Sequence, residues 1–575
     1  MTYFNHGVTA SVLSDTVIDL ATPLGRRAWR RIETRLIVVT RVHKAGYNPA
    51  TARAAYAKLF TPGMTQNDSP HKIRLAWYGL TVFLSSAILL VLEITAGRLI
   101  APYVGVTIYS WTSIIGVILA GLSLGNWLGG RWADRGADER STGIALALAA
   151  VFSLASLLTL TIIAPVLQAS SLNLVSASFL YVLGMFFIPS LLLGIPTPLL
   201  TTLALGLDSR TGHVVGRMHA LAALGSIVGT FLTGFLLIQY FGSHSVIIIS
   251  SVLLLALALP FLRKVSKAGL AGLVVLIILV GATTRFKDGY ISPCEYESSY
   301  FCLRVVDVSE QAPQGTARAL VLDHLLHGIN HQDDPGMLIS PYVHLMQELV
   351  DRHFEAADLP ALAYFFAGGG SYTQPRAIKH ATPAASVTVA ELDPVVTQTV
   401  AREMYVDPTR FVIHHGDARA TLFRQPPAAF DVIVTDAFHD IAIPYHLVTV
   451  EYLRLAKSRL KPGGIFTTNV VDAFPDPKMV KSLMKTLRQE FSQVDVWLDQ
   501  IPRQPQRMTY VISASEKPID GDVLESRQGI RRLWLRINEP LLKSGTPLDE
   551  LPVFSDDFVP VERMISDLLL THEGL

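Results

Sequence analysis

A series of apolar segments between positions 77 and 284 constrains this chain more than any other feature. A helix needs about 20 apolar residues to cross the hydrocarbon core of a bilayer. Stretches of that kind fall at 77–101, 108–130, 143–166, 176–205, 219–240, 244–262 and 268–284, which predicts seven spans. Only 17% of the residues are charged and half are hydrophobic, whereas soluble domains carry about 25% charge.

The connecting segments alternate in charge. RWADRGADER (131–140), the loop bearing Arg210 and Arg217, and Arg263, Lys264 and Lys267 are basic, while APYVGVTIY, QASSLNLVS and FGSH hold no Lys or Arg. Basic loops stay on the cytoplasmic side. The pattern therefore predicts a multi-pass protein of the cell (plasma or inner) membrane, in contact with the lipid bilayer, with a cytoplasmic N-terminus. Seven spans would put everything after position 285 outside. Pro196 and Pro198 interrupt the fourth segment and the last two are short, so the side of the C-terminal part stays open.

Residues 1–76 form a polar segment with basic residues such as Arg26, Arg27, Arg30 and Arg31 and no apolar h-region, so no cleavable signal peptide is expected. The net charge of +1 gives no general basic field for nucleic acid. Glu93 and Arg98 lie within the first span, and charges there are often functional; a structural ion pair and a substrate pathway are equally weighted. Beyond 285 the pattern changes. ESSYFCLRVVDV (297–308) and ARALVLD (317–323) predict strands of a small β-subdomain over 285–360. Over 361–575, ALAYFFAG, SVTVAEL, FVIHHGD, FDVIVTD and GGIFTTNVV alternate with helical stretches, which predicts a Rossmann-like, doubly wound parallel sheet. Cys294 and Cys302 flank a turn; free buried thiols are slightly preferred over a disulfide, which would require an oxidising compartment. No metal site is expected, since the cysteines are too few and the histidines lack ligand spacing.

Ligands of such sheets gather beyond the carboxyl ends of the strands. Gly368, Gly369 and Gly370 end the first strand, and their backbone N–H groups can approach a ligand at a helix N-terminus. Glu391 follows twenty-one residues after Gly370, the distance of an acid that binds ribose hydroxyls. Asp393 reads as a helix cap, with Pro394 at the first helical position. Asp417 ends the next strand, either as an adenine contact or as another cap. Asp436 ends the one after, facing the cleft as a base for an attacking amine, with His439 and Asp440 close behind.

The set GGG…ELDP…GDAR…DVIVTDAF…LKPGGI resembles the spermidine synthase (polyamine aminopropyltransferase) family, of the S-adenosylmethionine-dependent methyltransferase fold. Over roughly 77–575 the chain is similar to its membrane-fused form, and GGRWADR also resembles a loop of major facilitator transporters. The resemblance implies decarboxylated S-adenosylmethionine as co-substrate, no metal, a small polyamine or other amine as acceptor, and a homo-oligomer. It implies Glu391 on ribose, Asp417 on adenine with Ala418 beside it, Asp436 as catalytic base, and His327, Tyr342, His439 and Asp440 lining the cofactor and amine sites. It also implies Ser371 in the cofactor site, but the chain departs from the family there, at two of the residues just named, and around IPRQPQRMTY, where the family's late Tyr-Pro-x-Gly segment is missing. Ser371 stands where the family has an acid that holds the aminopropyl ammonium, His327 stands in place of Gln, and His439 stands in place of an acid. These departures support two alternatives: methyl transfer from S-adenosylmethionine itself, or a transporter or sensor that binds a nucleoside or polyamine without turnover.

Overall fold

The computed structural model describes residues 69–136, 138–170, 172–263, 265–354, 361–438 and 442–565. The chain divides into two compact units, Met1–Arg74 and Leu75–Leu575. The basic segment expected over 1–76 thus lies almost wholly outside the described residues.

The described residues open with helices, and six stretches among them are long and apolar enough to cross a membrane. They are α1 (Ser69–Val104), α2 (Ile108–Asp134), α3 (Glu139–Gln168), α4 (Leu174–Gly194) continued by α5 (Pro196–Leu205), α6 (Thr211–Leu232) continued through a π turn by α7 (Ile238–Leu262), and α8 (Lys267–Phe286). Thr107, Asp138, Asn173 and Ser266 cap α2, α3, α4 and α8 by accepting backbone N–H groups. The α4–α5 break falls at Pro196, where the ring has no N–H to continue the helix.

The run Thr211–Leu262 is 52 residues long, which as a straight helix would extend about 78 Å. It is bent at Gly242, whose φ of 73° and ψ of 160° are not helical. The fifth and sixth segments expected from the sequence, 219–240 and 244–262, are therefore the two arms of one interrupted helix. Small residues let the helix backbones touch. Gly121, Gly125 and Gly129 line one face of α2; a Cβ on Gly125 would lie 2.0 Å from the Leu191 carbonyl oxygen of α4. Gly225 and Gly229 bring α6 equally close to Phe83 and Ala87 of α1.

Next comes a four-stranded antiparallel sheet in the order β1 (Tyr296–Glu297), β2 (Cys302–Asp307), β3 (Ala317–Leu322) and β4 (Leu325–His331). The sequence reading missed β4, whose His, Gly and Asn residues carry little strand signal. Cys294 and Cys302 are joined as a disulfide, which corrects the preference for free thiols. The subdomain is fastened to the bundle at two points. Arg98, near the end of α1, donates to the carbonyls of Ser298 and Tyr300. Glu297 accepts from the backbone N–H and hydroxyl of Ser243, just past the Gly242 break. Arg98 is thus committed to the β-subdomain.

After α9 (Pro341–His353) the chain enters a nine-stranded sheet. Its strands are β5 (Ala363–Ala367), β6 (Ser386–Glu391), β7 (Val412–His415), β8 (Phe430–Thr435), β9 (Leu460–Phe474), β10 (Gln493–Leu498), β11 (Gln506–Ser515), β12 (Val523–Glu525) and β13 (Leu533–Arg536). Their order is β12-β13-β10-β11-β9-β8-β5-β6-β7. Strands β9-β8-β5-β6-β7 are parallel, and β11 is inserted antiparallel between β9 and β10. The chain steps from β5 outward through β6 and β7, then returns to the other side of β5 at β8. The reversal of strand order between β5 and β8 opens a crevice at their carboxyl ends. Helices α10 (Thr373–Ala381), α11 (Pro394–Glu403), α12 (Ala418–Phe423), α13 (Val450–Arg459) and α14 (Lys478–Leu487) alternate with these strands, and buried apolar strand residues such as Phe365, Ile433 and Phe466 form the core.

Candidate active site

The ends of β5 and β8 are in direct contact. Gly368 has φ of 100°, and a Cβ there would lie 2.3 Å from the carbonyl oxygen of Asp436. Only glycine fits this junction. Beyond it, the N–H groups of Gly369 and Gly370 donate to Oε2 of Glu391 at 2.9 and 3.2 Å, and Asp393 N–H donates to Oε1 at 2.9 Å. Burial pushes the Glu391 carboxyl above its ordinary value, and these three N–H groups pull it back. Glu391 therefore props the glycine turn in addition to facing the cleft. Asp393 caps α11 with Pro394 at its first position.

The two residues after the glycines turn inward. The Ser371 hydroxyl is buried against that of Thr373 at 2.6 Å. Tyr372, fully buried, hydrogen-bonds Thr397 at 2.8 Å. Neither residue lines the cavity at the strand ends.

Asp436 occupies the crevice itself. Burial raises its carboxyl to about 6, opposed by hydrogen bonds from Asn469 on β9 and Tyr342 in the first turn of α9. Burial first, and then the carboxylate, push the Tyr342 phenol up, so it stays a donor. The structure thus brings together Tyr342 and Asp436, which are far apart in sequence. Asn469 was missed; the one signal available was an amide side chain inside the apolar run IFTTNVV.

Asp417 caps α12, accepting from Ala420 N–H at 2.7 Å, and its second oxygen pairs with His446 Nε2 at 2.7 Å. The capping alternative is therefore realised, with the carboxylate still on the cavity wall next to Ala418. The adjacent Arg419 forms a two-pronged pair with Asp556, both contacts 2.7 Å. Asp556 also accepts from Thr449. This clamp lays the segment Val559–Arg563 along the cavity. His327, on β4, reaches the same space, and burial lowers its imidazole to about 4, so it is neutral at physiological pH.

These groups surround a cavity of about 990 Å³. Gly368, Gly370, Glu391, Asp417, Ala418, Asp436 and His327 line it; Gly369, Ser371 and Tyr342 stand behind the lining. His439 and Asp440 lie outside the described residues. Sequence reasoning also missed Phe301 and Leu392, and Ile108, Tyr109 and Thr112 from the start of α2. Nothing in an apolar helix start marks it as the wall of a distant site. Among the described residues no cluster of His, Cys, Asp and Glu has a metal-binding arrangement.

A five-stranded parallel core with β11 inserted antiparallel beside it, a glycine turn at the strand-order reversal and an acid ending the second strand define a methyltransferase-type domain. Residues 368–522 match the spermine/spermidine synthase domain family. The chain carries such a domain, fused behind a helical segment, and it is homologous there to polyamine aminopropyltransferases. It is 33% identical over 129 residues to a polyamine aminopropyltransferase from Vibrio vulnificus, covering 22% of this chain and 42% of that protein. It is 31% identical over 103 residues to a probable polyamine aminopropyl transferase from Bifidobacterium longum, covering 18% and 23%. The chain thus spans less than half the length of these two relatives. A solved structure of a probable spermidine synthase from Corynebacterium glutamicum aligns with TM-score 0.38 at 21% identity, over 44% of this chain and 94% of that one.

Proposed function

We propose that this protein is a membrane-bound aminopropyltransferase that moves the aminopropyl group of decarboxylated S-adenosylmethionine to an amine. The observation that carries this reading is Asp436, held between Tyr342 and Asn469 at the strand-order reversal with a carboxyl near 6. A base of that strength takes a proton from an ammonium or an attacking amine at neutral pH. The amine nitrogen attacks the carbon next to the sulfonium, the carbon–sulfur bond breaks, methylthioadenosine leaves, and the amine proton passes to Asp436. Glu391 would hold the ribose hydroxyls, the glycine turn would admit the nucleoside close to the backbone, and Asp417 would contact the adenine amine.

The cavity fits a nucleoside, since an acid and a side-chain-free turn share one wall. One observation favours methyl transfer as a second reading: Ser371 faces Thr373 and offers no countercharge for an aminopropyl ammonium. Calorimetry with decarboxylated and with carboxylated S-adenosylmethionine separates the two, and tighter binding of the carboxylated form overturns the aminopropyl assignment.

In the same reading the helices span a membrane, with the C-terminal domain on the side opposite the basic loops. The contacts of Arg98 and Ser243 with the β-subdomain gather at the uncharged helix ends. The basic loops lie one helix length away, about 40 Å along α2. The disulfide agrees with an oxidising compartment there.

A further inference from the structure

We infer that the acceptor is the primary amine at the head of a membrane lipid, presented from the leaflet beside the domain. This rests on the aminopropyl reading and names its second substrate. The first observation is the cavity wall. Ile108, Tyr109 and Thr112, in the first turns of a helix long and apolar enough to cross a membrane, face the same space as Asp436 and Glu391. A soluble diamine has no need of a wall made by such a helix.

The second observation fixes the level of the interface. Tyr and Trp gather where bilayer meets water. Tyr103, Tyr109, Trp111, Tyr240 and Tyr290 all lie at the helix ends next to the C-terminal domain, and Tyr240 is 70% exposed. The cavity mouth therefore opens at headgroup depth.

The third observation is the lining. Between the nucleoside end and Ile108 it is mostly apolar, with Phe301, Leu392 and Phe438 among its residues. Ile108 and Leu392 are exposed large apolar side chains. At about 990 Å³ the cavity is at the top of the about 300–1,000 Å³ range of small-molecule sites. It has room for the start of an alkyl chain beside a nucleoside. An amine-headed lipid would place its nitrogen at Asp436 and direct its chains past Ile108 toward the bilayer. In the transfer the lipid nitrogen bonds the aminopropyl carbon, the carbon–sulfur bond breaks, the sulfur leaves as neutral methylthioadenosine, and Asp436 takes the proton from nitrogen.

The test uses the full chain in nanodiscs of phosphatidylcholine with or without phosphatidylethanolamine, given aminopropyl-labelled decarboxylated S-adenosylmethionine. The expected result is methylthioadenosine release that depends on phosphatidylethanolamine, with label in the lipid extract. Ile108→Glu is expected to lower this turnover by about tenfold or more through loss of apolar contact, while methylthioadenosine binding measured by calorimetry confirms that the variant is folded. Equal or faster release with putrescine or spermidine in phosphatidylcholine discs overturns the lipid acceptor and leaves aminopropyl transfer standing. Release with neither kind of amine overturns both. Unchanged lipid turnover in a folded Ile108→Glu protein overturns the placement of the chain along α2.

Discussion

Arg98 donates to the carbonyl of Ser298 at 2.8 Å, joining the end of the first long helix to the turn that opens the β-subdomain two hundred residues later. A second branch of the guanidinium reaches Tyr300. The same charge acts on Asp393, two residues beyond Glu391. The helix bundle is thereby joined to the β-subdomain that packs beside the Glu391 end of the cavity.

Cutting that joint is the first prediction. Hydrogen bonds from a charged donor contribute about 1.5–3 kcal/mol. Arg98→Ala is expected to lower the unfolding temperature by roughly 2–4 °C and to expose the turn at 297–301 to protease. Lysine, with a single point charge in place of a fork, should restore little of either. Wild-type melting and cleavage rates in Arg98→Ala would rule the joint out.

The second prediction concerns Asp436→Asn. Removing a general base costs about 10²–10⁴-fold in rate, while the nucleoside contacts are untouched. Methylthioadenosine release should fall in that range with the calorimetric affinity for the nucleoside unchanged. Retained turnover would move the base elsewhere.

Acid dependence supplies the third. The folded carboxyl of Asp436, at about 6, lies above its ordinary 3.8, so the native state holds this proton more tightly than the unfolded chain. Its contribution to stability is present below about 4 and is lost as pH rises through about 6. Activity runs the other way, rising with pH through about 6 as the base form accumulates. Tyr342→Phe and Asn469→Leu each remove a hydrogen bond that lowers this value, so the acidic limb of kcat/KM should move to higher pH in both. A limb that stays in place in both variants would detach the profile from Asp436.

Packing of the helices gives the fourth. A Cβ at Gly225 meets the Phe83 carbonyl oxygen at 2.1 Å, an atom of the backbone that cannot move aside cheaply. Gly225→Leu should cost about 1–3 kcal/mol as an overpacked contact, seen as a lower melting temperature in detergent. Leucine at Gly116, where nothing lies within 4 Å, should be tolerated.

The sequence exposed those parts of the fold that depend on local pattern. Long apolar helices, parallel strands and the glycine turn follow from runs of apolar residues and from Gly368–Gly370, which any reading along the chain meets in order. Asp393 as a cap followed from its neighbour Pro394. Asn469, Phe301 and Ile108 were illegible because their part in the site comes from contacts across roughly 30 to 330 residues of chain, with no motif of their own. Ser371 shows a different limit. Its identity signalled a departure from the family, but only the structure shows its hydroxyl spent on Thr373 rather than facing the ligand. The antiparallel β11 escaped notice because it follows β10 with no helix between them.

Gly242 has a consequence beyond local geometry. On the proposed topology, the number of crossings decides which compartment receives the catalytic domain, and that number is odd only because one backbone torsion splits a 52-residue helix into two arms. The parity of the whole molecule is thus stored in a residue that touches no ligand. A chain that healed this break would keep every side chain of the site and deliver it to the other face of the membrane.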